Sequence, residues 1–374
     1  MRDKAVAALS RFLAGHSKKL GPDGEALEEI LAVGELDWDQ EWIVDARLAA
    51  PEMAKLWKGI FFCSSRRHLR PKSAIIDFFL VAGFWMSDKP LVQQALADNL
   101  SNLALEVRAS KKNSSGQGRV ARFRSAMEYL KGFWDAIVRE WGGLDRLRLD
   151  KFYLLIRRFV GVGFKLLARE EWDLTAIAEY NHCLTGPGGP LQSVVLSPGV
   201  QSDELTLCDD SVLDSRIPHS LAYHLADIYI DELERSLPAI PASALRVVPL
   251  VPLLQPFLTT FALCPSSTMF ARISDNLFSP LFDYSVPLPP QPKSKRRKIE
   301  SQLAIAEYPR IFEQAQVEEM SGNEGVEEGR RLCGEGVLKA LFEEGGKKET
   351  NEVNRRRMYK LWREKSGEGD AVDA

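Results

Sequence analysis

Cysteine is scarce in this chain and never clustered. The five cysteines stand at positions 63, 183, 208, 264 and 333, with no C-x-x-C pair among them. That spacing offers neither a disulfide framework nor a thiolate zinc site, and it fits a reducing compartment. Histidine is equally sparse, at five residues, and no H-E-x-x-H motif occurs. Long apolar runs are missing too. The most apolar stretch, residues 74–86, contains Asp77 and is too short to cross a bilayer. Met1-Arg2-Asp3-Lys4 starts charged with no apolar core behind it, so no secretory leader is expected. Ser220 and His219 have no elbow motif around them, and neither paired carboxylates nor a Ser-His-Asp set can be assembled. Gly161-Val162-Gly163 lies in a helical pattern and lacks the preceding strand that a nucleotide loop needs. The expectation is no catalytic residue, no metal, no cofactor and no membrane partner.

What the chain has is helical periodicity. Apolar residues recur at helical spacing over residues 1–15, 25–33, 38–50 and 52–63. Pro90 suits a first helical turn, with Val92, Leu96, Leu100, Leu103 and Val107 as its apolar stripe. Further helices are expected over 120–141, 147–170, 173–184, 218–237, 243–263 and 267–282, then near 309–320, 324–344 and 350–364. No segment alternates as a strand does. At 374 residues and 45% hydrophobic composition the chain can bury a large core. The expected class is all-α: a HEAT-like helical-repeat (α-solenoid) domain over 1–284, with an irregular helical bundle as the alternative. Within it, 185–217 reads as an acidic loop. Residues 285–300 read as a proline-rich linker, and 301–374 as a charged helical or disordered tail. The tryptophans Trp57, Trp85, Trp134, Trp141 and Trp172 read as packing residues between helices.

Charge is segregated. Residues 120–170 hold 11 Lys/Arg against 6 Asp/Glu, a balance of +5, while 199–240 hold 2 against 9, a balance of −7. On the 147–170 helix, Arg148, Lys151, Arg158, Lys165 and Arg169 are expected on one side, away from Phe152, Ile156, Phe159 and Leu166. A basic stripe can meet successive phosphates of a folded RNA, or it can be a solvated face with local ion pairs. On the first reading, reversing the charges of Lys151 and Arg158 leaves the fold intact. Arg355, Arg356, Arg357 and Lys360 interleave with Tyr359 and Trp362, a pattern for phosphate contact with base stacking or for docking onto protein. Lys293, Lys295, Arg296, Arg297 and Lys298 follow the proline-rich linker and read as a nuclear import signal for an import receptor, with RNA binding as the alternative. His224, Asp227 and Asp231 share a helix face but read as a hydrogen-bonded structural cluster.

Several motifs together resemble one family. Leu56-Trp57-Lys58-Gly59, Trp85-Met86-Ser87-Asp88-Lys89-Pro90, the Trp134 to Trp141 stretch, Asp145-Arg146-Leu147-Arg148-Leu149-Asp150-Lys151-Phe152-Tyr153, Ile156-Arg157-Arg158-Phe159 and Tyr223-His224-Leu225-Ala226-Asp227 resemble the ribosomal RNA processing protein 1 family. The likeness runs over about residues 1–237, more weakly to Phe282, and Asn354-Arg355-Arg356-Arg357 is similar to the family's C-terminal segment. It implies a nucleolar, nuclear, non-catalytic scaffold in large (60S) subunit assembly and pre-ribosomal RNA processing. The implied partners are pre-ribosomal RNA, other assembly factors and ribosomal proteins. A general helical adaptor or transport protein is the alternative. In the family the segment ending Phe61-Phe62-Cys63 runs almost directly into the Trp-Met-Ser-Asp motif. In this chain residues 64–84 intervene, as a translated intron or a lineage-specific insertion.

Overall fold

Proline begins the first described helix, α1, Pro90–Glu106. A first-turn amide has no intrahelical acceptor to lose, so Pro90 costs nothing there. The computed structural model describes residues 84, 89–106, 116–192, 218–238, 247–285, 307–317 and 325–366. The helices expected before residue 64, the bulk of the 64–84 segment, Trp57, Trp85 and the basic cluster at 293–298 lie outside the described residues.

The chain is an all-α helical-repeat protein, and it divides into two units, residues 1–170 and 171–374. That division falls inside the stretch 1–284 expected as one repeat domain. In the first unit α1 is followed by α2, Gly116–Glu140. A single 3-10 turn at Trp141–Gly143 then leads to α3, Leu149–Arg169. α1 packs on α3 with one helix skipped between them, as stacked helix pairs do. Phe133 of α2 stacks on Phe159 of α3 with ring centroids 3.7 Å apart, and Trp134 meets Phe133 edge-on. The Tyr129 hydroxyl donates to the Leu100 carbonyl at 2.9 Å, tying α2 to α1. Phe84 is fully buried edge-on against Phe152, so the last residue of the intervening 64–84 segment belongs to the core. Trp134, Trp141 and Trp172 are buried, as packing tryptophans should be.

The second unit begins with two consecutive residues in left-handed conformation, Glu171 and Trp172, both at φ 58°. Asp173 then caps α4, Leu174–Thr185, by accepting from the Thr175 and Ala176 amides. α5 is His219–Ser236 and α6 is Leu250–Leu263. α7, Ser267–Ile273, continues through a π segment, Ser274–Phe278, into α8, Ser279–Ser285. α4 packs on α6 and α5 on α7, again with one helix skipped.

The segment expected as a tail supplies α9 (Pro309–Gln314), α10 (Val326–Gly346) and α11 (Glu352–Ser366). These helices are integral to the second unit. α10 lies on α6 and α8, and α11 on α10 and α6. Gly334 permits the close approach of α10, since a Cβ there would come within 2.3 Å of the Ser285 Oγ. Cys333, Leu341 and Met358 are fully buried. The Asn354 amide donates to the Cys264 and Ala262 carbonyls at 2.7 and 3.3 Å, satisfying the open end of α6. A two-residue parallel bridge joins Val248–Pro249 (β1) to Ala315–Gln316 (β2). Among the described residues no helix is long and apolar enough to cross a membrane.

Candidate nucleic-acid interface

The basic side of α3 is not a solvent-facing stripe. Arg148 precedes the first helical residue, and its guanidinium pairs with Asp145. Lys151 is only 6% exposed, its ammonium 5.7 Å from the Phe84 ring and 6.0 Å from that of Phe152. Arg158 pairs with Asp98 of α1 at 2.7 Å. Arg169 donates to the Leu105 carbonyl at 3.1 Å, near the C-terminal end of α1, where partial negative charge favours a cation. Lys165 is exposed. Of the five, only Lys151 is buried; Arg148 and Arg158 stay 36% and 41% exposed within their ion pairs. The sequence shows which residues share a helix side but not that α1 and Phe84 come to cover it.

One charged cluster escaped the sequence reading. Glu170, buried at the C-terminal cap of α3, is surrounded by Arg119 at 3.2 Å, Arg122 at 3.1 Å and Arg169 at 3.5 Å. Burial lowers the Arg169 pKa, with Arg122 adding to the effect and Glu170 opposing it. The cluster fastens the start of α2 to the end of α3. Its partners Arg122 and Glu170 are 48 positions apart, beyond any helical spacing rule.

α11 divides its cations differently. Arg355 turns inward and donates to the Gly345 and Lys347 carbonyls at 3.0 and 2.9 Å, closing the end of α10. Arg357 lies over the Phe270 ring, 5.4 Å from its centroid. Arg356 and Lys360 project outward, their side chains 79% and 76% exposed, with surface pairs to Glu352 and Glu364 at 3.5 and 3.7 Å. Trp362 is half-buried and stands 4.9 Å from Phe342 of α10, and Tyr359 stands 5.1 Å from the same ring. Phe342 was absent from the sequence reading because nothing local marks which α10 residue meets α11. The helix carries six basic residues (355, 356, 357, 360, 363, 365) and two acidic ones (352, 364), so 6 − 2 leaves +4.

The His224 face is structural where its contacts are described. Asp227 accepts from Arg272 at 3.0 Å and from Asn276 at 2.5 Å, joining α5 to the α7 region. Among the described residues no group of three or more His, Cys, Asp or Glu is placed to hold a metal.

Comparison with known proteins adds a family. A family model described as "Nucleolar protein, Nop52" matches residues 80–362. The human ribosomal RNA processing protein 1 homolog B is 26% identical over 337 residues, covering 83% of this chain and 37% of the human protein. The Mus musculus ribosomal RNA processing protein 1 homolog A is 25% identical over 232 residues, 62% of this chain and 35% of its own length. A Dictyostelium discoideum ribosomal RNA processing protein 1 homolog is 20% identical over 239 residues, 64% of this chain and 40% of the relative. The chain spans well under half the length of these relatives.

Proposed function

The chain belongs to the Nop52 family of nucleolar proteins, and from that premise we propose that it is a non-catalytic factor in pre-ribosomal RNA processing and large (60S) subunit assembly. The relatives' names support the process. The mechanism is positional: the helical scaffold braces RNA and neighbouring assembly factors so that folding and cleavage proceed in order. The observation that carries an RNA role is α11, whose +4 balance and outward Arg356 and Lys360 stand beside partly exposed rings. On α3 Lys165 is exposed and Arg148 and Arg158 are partly exposed in surface ion pairs that a phosphate can replace, whereas Lys151 and Arg169 are engaged within the first unit. The acidic 199–240 segment suits basic ribosomal proteins and assembly factors. Lys293, Lys295, Arg296, Arg297 and Lys298 serve an import receptor.

Sequencing of RNA crosslinked to the tagged protein in its own cells tests this reading. Enrichment of large-subunit ribosomal RNA and its spacers is expected. A library with no ribosomal enrichment overturns the RNA role. Association that survives RNase treatment unchanged would favour a purely protein-held adaptor.

A further inference from the structure

We propose that Phe342, Tyr359 and Trp362 form a stacking platform for an unpaired RNA strand, whose phosphates are held by Arg356, Lys360 and Arg363. This rests on the RNA reading above and gives it a ligand class: single-stranded rather than duplex RNA.

The platform is built from two helices. Phe342 of α10 is 44% exposed, an unusual position for a phenylalanine that packs on two other rings. Tyr359 and Trp362 flank it from α11 at interplanar angles of 41° and 47°. Gly345 makes room for this arrangement: a Cβ there would lie 3.2 Å from the Tyr359 ring. Around α11, at 100° per residue, Trp362, Tyr359, Arg363, Arg356 and Lys360 follow one another in that order. The buried Asn354, Met358 and Leu361 occupy the opposite side. Glu352, 63% exposed and paired with Arg356, shares that side at the start of the helix, so rings and cations adjoin along its last turns, residues 359–363.

The cations are available. The pairs of Arg356 and Lys360 are long and solvent-exposed, so a phosphate replaces the carboxylate at little cost. Arg363 is exposed, and no carboxylate pairs with it among the described residues. Only unpaired bases present their faces to a protein ring, since duplex RNA keeps them stacked inside. A basic ribosomal or assembly protein is the poorer occupant, because the +4 helix repels it.

The test titrates the full chain with labelled, unstructured oligouridine and with a duplex RNA of the same length. The strand is expected to bind more tightly than the duplex. Phe342→Ala, at a site exposed enough to fold, should weaken strand binding roughly tenfold and leave duplex binding unchanged, and Phe342→Tyr should restore it. Equal strand binding by Phe342→Ala and the parent chain overturns the platform. So does equal loss on strand and duplex, or crosslinks from these rings to protein alone. Co-sedimentation with ribosomal precursors separates the two proposals. Precursor association with a neutral Phe342→Ala removes the platform and keeps the function. A Phe342→Ala effect on the strand without precursor association keeps the platform and removes the function.

Discussion

Lys151 and Lys165 stand on the same side of α3, two heptads apart, yet only one meets water. The Lys151 ammonium is buried beside the faces of Phe84 and Phe152, where a carboxylate would lose water and meet rings that repel it. Lys151→Glu should therefore cost about 3 kcal/mol or more, while Lys165→Glu should stay within about 0.5 kcal/mol. Denaturant unfolding of the two variants gives both numbers. A Lys151/Arg158 charge reversal consequently disrupts the fold and cannot serve as a surface probe. Cys264 makes a second residue-scale case. Burial pushes its thiol up to about 11, against hydrogen bonding from Asn354. The native thiol keeps its proton while the unfolded one loses it from about pH 9, so stability falls as pH rises through the interval to 11. The full effect is roughly 3 kcal/mol for a shift of this size. Cys264→Ala should flatten that slope, and parallel unfolding curves across this pH range would show Cys264 is not responsible.

At the scale of elements, α6 shows how a helix survives an internal proline. Pro256 has no amide hydrogen to give the Pro252 carbonyl four residues back. Asn181 of α4 supplies it instead, its side-chain amide donating to the Pro252 oxygen at 2.8 Å. Asn181→Ala should leave that carbonyl bare and cost about 1 to 3 kcal/mol, measurable as a lowered denaturation midpoint. Local signals had made much of the helix pattern legible. Periodicity and the placement of Pro90 were enough for this, since the observed ends of α1, α3 and α4 fall close to the expected ones. Where the pattern failed, the cause was distant in sequence. The helix expected over 309–320 ends at Gln314, and the one expected from 243 starts at Leu250, because Ala315–Gln316 and Val248–Pro249 pair with each other. The candidate interface follows the same rule. Arg356 and Lys360 are legible within α11, whereas Phe342 and the cover over Lys151 come from other parts of the chain.

At the scale of the whole molecule, the C-terminal helices α9 to α11 are part of the second unit. α10 and α11 cover α6, so a chain cut back to residues 1–300 would strip that cover from a strongly apolar helix. That shortened chain should aggregate or bind a hydrophobic dye, as size-exclusion chromatography and dye fluorescence would show. A soluble, cooperatively unfolding product would contradict the role given to the C-terminal helices.

The same anchoring fixes the described residues on either side of the basic cluster at 293–298. On one side of it, Ser285 is buried at the end of α8. On the other, Glu234 of α5 accepts from the Arg310 and Ile311 amides at 3.0 and 2.9 Å, and Arg310 reaches the Leu237 carbonyl at 3.0 Å. The described chain is therefore held to the second unit both before and after the cluster. A chain cut once between Ser285 and Glu307 should therefore still travel as one particle, its two fragments parting only in denaturant.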